Sequence, residues 1–179
     1  TIRALVGIEA CSLICRALGK EELAGEYVNK ARTFADAFRV KVGPHILPLS
    51  YGGTDTFSIK YNILFDKLFG FSLIGQEVCE AETAYYIQKS NRFGVPLDTR
   101  EDYTKADWIL WAAALTDDKE KCEALYSPVV NYLAQTPSRV PFGDWYDSTR
   151  GDIVHFINRS VVGGCFAPLL KASGKMKVK

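Results

Sequence analysis

The sequence lacks an excess of charge of either sign: 22 Lys and Arg stand against 21 Asp and Glu, a formal net charge of +1. No global field therefore draws the chain to nucleic acid or to anionic lipid, and neither is expected as a partner. It also lacks a long apolar run. The longest, Trp108 to Leu115, falls far short of the roughly 20 residues that cross a bilayer as a helix, so no membrane span is expected. Cysteine is scarce, at five residues (Cys11, Cys15, Cys79, Cys122 and Cys165). They form no CxxC or Cys/His zinc spacing and are too few and too odd in number for a disulfide framework. Cys11 and Cys15, four apart on a helical stretch, read as small buried hydrophobes. The two histidines, His45 and His155, adjoin no Ser or Cys in a nucleophilic arrangement, and no GxSxG elbow or SxxK pair is present. No metal set and no cofactor are expected. Thr1 stands where an initiator Met would be, and the natural N-terminus is expected to lie outside this chain.

What is present is ordinary globular composition, 47% apolar and 24% charged over 179 residues, enough for one real core. Helical periodicity runs through most of it. Apolar spacing predicts a helix over 4–18 ending at Gly19, and a second over 21–42 stopped by Gly43-Pro44. A loop rich in Gly and Pro fills 45–57, and helices are expected over 58–69, closed by Gly70, and over 76–92, closed by Gly94 and Pro96. Thr104-Lys105-Ala106-Asp107 has the form of a capping box opening a helix over 105–116, with 119–135 as its antiparallel mate. Pro137 and Pro141 bound the next loop, and a last helix is expected over 161–171. The fold class is therefore all-α, about three helical hairpins, with a short basic tail at 174–179.

Three stretches have a composition that packing alone does not ask for. They are Lys60-Tyr-Asn-Ile-Leu-Phe-Asp66-Lys67; then Ala84-Tyr-Tyr through Asn91 to Pro96, Asp98, Arg100, Tyr103 and Lys105 to Asp107-Trp108; then Ser138-Arg139-Val-Pro-Phe-Gly-Asp144-Trp145-Tyr146 with Arg159-Ser-Val-Val-Gly-Gly164. In this order and spacing they resemble the glutaminase A family over nearly the whole chain. Phe65, Gly143, Asn158 and Cys165 depart from the usual family residues. The resemblance implies an (α/α) six-hairpin toroid with a funnel at one end, of which residues 1–173 would be the C-terminal portion. It also implies a secreted protein, an N-terminal part of the same protein as partner, and a small-molecule substrate.

Hydrolysis of a side-chain amide needs an activated water, a proton for the departing ammonia, and clamps for the charged ends of the amino acid. Asp98, Asp107 and Asp144 are the candidate acids and bases, each beside aromatic residues able to raise a carboxyl pKa. Asp107 already has a local role if the capping box forms, so Asp144 and then Asp98 are preferred as catalytic groups. Arg100, Arg139 and Arg159 offer planar forks for a substrate carboxylate, or equally for a structural bridge to the same aspartates. Trp145 and Tyr146 are candidate aromatic walls of a substrate site. Two carboxylates with aromatic platforms also suit hydrolysis of a sugar bond, so L-glutamine amidohydrolase and glycoside hydrolase both stay open, as does a non-catalytic fragment of a larger protein.

Overall fold

The computed structural model describes residues 1–43 and 46–176. Pro44, His45 and the last three residues of the basic tail lie outside the described residues.

The chain opens with α1 (Ile2–Ala17) and α2 (Glu21–Val42), joined by a tight turn in which Gly19 takes φ +70°. Ile2, Leu5, Val6, Glu9, Ser12 and Cys15 recur at three- and four-residue intervals and form the buried stripe of α1. On α2 the buried stripe is Ala24, Ala31, Ala35 and Phe38, and the small side chains let the two helices approach closely as an antiparallel hairpin. Glu21 and Glu22 in the first turn of α2, with Arg39 and Lys41 in its last, complement the helix dipole.

After an irregular connection come α3 (Ile63–Phe69), which packs on α1, and α4 (Gln76–Gln88). The buried Asp66 carboxylate accepts from the amides of Leu73 (2.9 Å) and Ile74 (3.1 Å) and so fixes the turn between them. Then follow β1 (Tyr103–Lys105), α5 (Ala106–Ala113), α6 (Lys119–Gln135), β2 (Trp145–Asp147), a 3-10 segment (Ser160–Phe166) and α7 (Ala167–Ala172). Asp118 caps α6 by accepting from the amides of Glu120 and Lys121. Two apolar clusters result. One gathers α1, α2, α3 and the start of α4; the other gathers α5, α6, Tyr86 and Tyr146, and Trp111 packs against both.

Four expectations need correction. Residues 58–62 are not helical, because Lys60 is drawn into hydrogen bonds with the preceding connection instead of continuing a helix. The helix expected over 76–92 ends at Gln88, and Asn91 pairs back to Gly94 in a turn. The last helix is split, 3-10 over 160–166 and α only from Ala167, with Pro168 in its first turn. The capping box is not formed. Lys105 occupies the N-cap position in extended conformation, and Thr104 belongs to β1, paired with Tyr146 on β2. The chain is thus mostly helical with one two-stranded antiparallel ribbon, and that ribbon positions the candidate site.

Candidate functional site

The register of β1 on β2 places Tyr103 opposite Asp147, Thr104 opposite Tyr146 and Lys105 opposite Trp145. One step further along, the Ala106 amide donates to the Asp144 carbonyl at 2.8 Å. Asp107, in the first turn of α5, and Asp144, just before β2, are thereby brought to the same end of the ribbon from 37 positions apart in sequence.

Both carboxylates are buried, and their surroundings differ. Asp144 is fully enclosed and clamped by Arg159, whose Nε donates to Oδ1 at 2.9 Å and whose Nη2 donates to Oδ2. Asp107 is 3% exposed, and its Oδ1 has no hydrogen-bond partner among the described residues. Burial above all, and then the Asp144 charge, push the Asp107 carboxyl up to about 6, against a smaller opposing pull from the Lys105 ammonium. An acid in that range exchanges its proton near neutrality. The structural role expected of Asp107 falls to Asp144, and the freedom expected of Asp144 belongs to Asp107.

The 3-10 segment closes over this pair. A Cβ on Gly164 would lie 2.5 Å from the Trp111 indole nitrogen and 3.2 Å from the Asp107 Cβ, so only glycine permits the approach. Cys165, from the same segment, is pushed up to about 12 by burial first and by Asp107 and Asp144 next, which keeps it a thiol at neutral pH.

Around the carboxylates lies a run of aromatic and cationic groups. The Lys105 ammonium sits over Trp108 (5.0 Å to the ring centroid) and Trp145 (5.3 Å). Trp108 stacks on Tyr61 at 3.7 Å, and Trp145 stacks on Phe156, over which Arg159 lies. Two more polar atoms here are buried without partners among the described residues: the Thr104 hydroxyl and the Trp145 indole nitrogen.

The remaining expected site residues lie elsewhere in the architecture. Asp98 is engaged by Arg100, whose Nε (2.9 Å) and Nη2 (2.7 Å) grip its carboxylate, and this pairing holds the acid below the usual carboxylate range. The two line a cleft of about 330 Å³ with Phe57, Lys89 and Asn91. The charges bearing on Asp98 are Arg100 and Lys60, not those of the ribbon end. Arg139 is exposed, with no ion pair among the described residues. Tyr146, expected on an aromatic wall, is instead fully buried. Its hydroxyl donates to the Phe93 carbonyl at 2.8 Å, and its ring stacks on Tyr132 at 3.6 Å. The structure thus unites Asp107, Asp144, Arg159 and Trp145, and leaves Asp98, Arg100, Arg139 and Tyr146 outside that group. Lys105 was not among the expected residues, although its place between Thr104 and the Asp107-Trp108 pair is a signal available in the sequence. Among the described residues no group of three or more His, Cys, Asp or Glu is placed to hold a metal ion.

Comparison with known proteins agrees with this architecture. Residues 1–169 match the family defined as the glutaminase A six helical-hairpin domain. Glutaminase A of Aspergillus oryzae is 31% identical over an alignment covering 94% of this chain and 26% of that protein. A probable glutaminase of Arthroderma benhamiae is 26% identical over 93% of this chain and 23% of its own length. The chain therefore spans about a quarter of the length of the curated relatives it matches. No solved structure matches it significantly. With a six-hairpin match over residues 1–169 and a mostly helical architecture to go with it, the chain belongs to the glutaminase A family.

Proposed function

We propose that the full-length protein containing this chain is a hydrolase that releases ammonia from the side-chain amide of L-glutamine, and that Asp107 moves the proton. The observation that carries the reading is a buried carboxyl with a pKa of about 6 and an unpartnered oxygen, in a chain whose relatives are named glutaminases. As a carboxylate, Asp107 accepts a proton from water while the new C–O bond forms. As an acid it returns that proton to the nitrogen as the C–N bond breaks, so the amide and water leave as a carboxylate and ammonium. Burial first, and then the charge of Asp144, which Arg159 clamps, keep the Asp107 proton affinity high.

The activity belongs to the larger protein. Ile14, Leu18, Phe166 and Leu169 are all more than 60% exposed, and in this reading they are faces on which further hairpins of the same protein pack. The test is ammonia release by the full-length protein on L-glutamine beside a panel of glycosides, for the natural sequence and for Asp107→Asn. Ammonia from glutamine, lost in the variant, supports the amidase. Sugar release without ammonia transfers the site to the glycosidase alternative, and neither product makes this chain a non-catalytic part.

A further inference from the structure

From the ribbon end we infer that Lys105 and the Trp145 indole N–H form the recognition point for a carboxylate group of the ligand, directly beside Asp107. The inference deepens the amidase reading and rests on it for the identity of the substrate.

The Lys105 ammonium faces two indole rings, and no carboxylate or carbonyl accepts from it among the described residues. Ring faces hold a cation in place yet take none of its three N–H donors. A cation held this way is oriented and still unsatisfied. The Trp145 indole nitrogen is buried and likewise donates to nothing among the described residues. Native structures rarely leave such a donor unpaired unless a ligand or ordered water completes it. Lys105 and Trp145 face each other across the ribbon, so the ammonium and the ring that carries the N–H belong to one local unit.

The charge balance selects the class of anion. One ammonium and one neutral donor match a single negative charge shared over two oxygens. The Asp107 carboxyl, on which the Lys105 charge bears, is close enough to disfavour a doubly charged group such as a phosphate monoester. A neutral sugar would leave the ammonium unmatched. A ligand carboxylate satisfies both donors and sets the rest of the molecule against Asp107.

The experiment is a titration of the full-length protein with glutarate and with L-glutamate, read by indole fluorescence and by calorimetry, with glutaramide as the uncharged comparison. Saturable binding of both acids is expected. Lys105→Met should weaken it by about tenfold or more, the scale of a lost charge-assisted hydrogen bond, while Lys105→Arg stays within a few-fold. Glutaramide binding should not respond to either change. Trp145→Phe, which keeps a ring and removes the N–H, is the second probe if Lys105→Met fails to fold, and it should also weaken binding of the acids. Unchanged glutarate binding in the folded Lys105→Met variant, or in Trp145→Phe, or no saturable binding of either acid by the natural sequence, overturns the inference. Failure of the amidase reading looks different: no ammonia from glutamine, with Lys105-dependent binding of glutarate intact.

Discussion

Arg159 directs two donors onto the two oxygens of Asp144, Nε to Oδ1 and Nη2 to Oδ2, and Asp144 is wholly enclosed while Arg159 keeps some contact with solvent. Removing one partner of such a pair leaves the other as an uncompensated buried charge. Arg159→Met should therefore cost about 3 kcal/mol, the lower end of the range for buried pairs because Arg159 is partly exposed. Denaturant unfolding at neutral pH measures it, and an unchanged midpoint would show that the pair contributes nothing net.

The pH dependence of stability follows from Asp107. Its folded-state pKa, about 6, lies above the ordinary value of 3.8. A raised acid favours the folded state when protonated, so its contribution is complete below about pH 4 and is lost as pH rises through 6. Asp107→Asn cannot ionise. Its stability relative to the natural sequence should be least favourable near pH 4 and should improve steadily to pH 7. Unfolding midpoints of both proteins at four pH values between 4 and 8 test this, and parallel curves would mean that Asp107 titrates normally.

Activity should separate the two carboxylates. Asp107→Asn is expected to fold normally and to lose about a hundredfold or more in turnover of the full-length protein, the scale of proton-transfer catalysis. Asp144→Asn is expected to lower the melting temperature, because it strips the charge that Arg159 pairs with. Full turnover in a folded Asp107→Asn protein would remove Asp107 from the mechanism.

Much of this architecture is written in local signals, and the parts that are not share one cause. The limits of α2 and α6 follow from caps and periodicity. Glu21 begins α2 and Gly43 ends it, while Asp118 and Pro137 bracket α6. Thr104 through Asp107 has the form of a capping box, yet Thr104 is claimed by a partner more than 40 positions away. Nothing near Thr104 announces that strand. The residue types of the site were legible, since Asp107, Asp144, Arg159 and Trp145 stand out as acids, cation and aromatic in loops and junctions. Their pairing was not, because which arginine holds which aspartate is decided by the ribbon register and by the close approach allowed at Gly164.

The Asp98–Arg100 pair should behave as a surface device. Arg100 is 72% exposed, and exposed ion pairs are screened by water and salt. Asp98 also accepts from the Arg100 backbone amide at 2.9 Å and so shapes the turn itself. Arg100→Ala should leave the melting temperature nearly unchanged, while Asp98→Ala should lower it. Equal and large losses in both would point to a role for the guanidinium beyond this pair.

Lys60 provides the sharpest test of whether the polar groups of the first motif are structural. Its ammonium donates to the carbonyls of Leu47 (2.9 Å), Pro48 (3.1 Å) and Ser58 (3.1 Å) and to the Ser58 hydroxyl (2.7 Å). Four acceptors for three N–H donors leave nothing of Lys60 for a ligand. Glu82, buried beneath, accepts from the Leu47 amide and the Tyr86 hydroxyl, and the Lys60 amide donates to Tyr86 at 2.9 Å. Burial lowers the Lys60 pKa, and the Glu82 and Asp98 charges oppose that shift. Lys60→Met keeps the apolar stem and deletes every one of those donors. The orphaned carbonyls should cost about 1–3 kcal/mol, read as a lower unfolding midpoint together with faster hydrogen exchange at the Leu47 amide. If stability instead holds while glutamate binding by the full-length protein falls, Lys60 belongs to the substrate site and the network described for it is secondary.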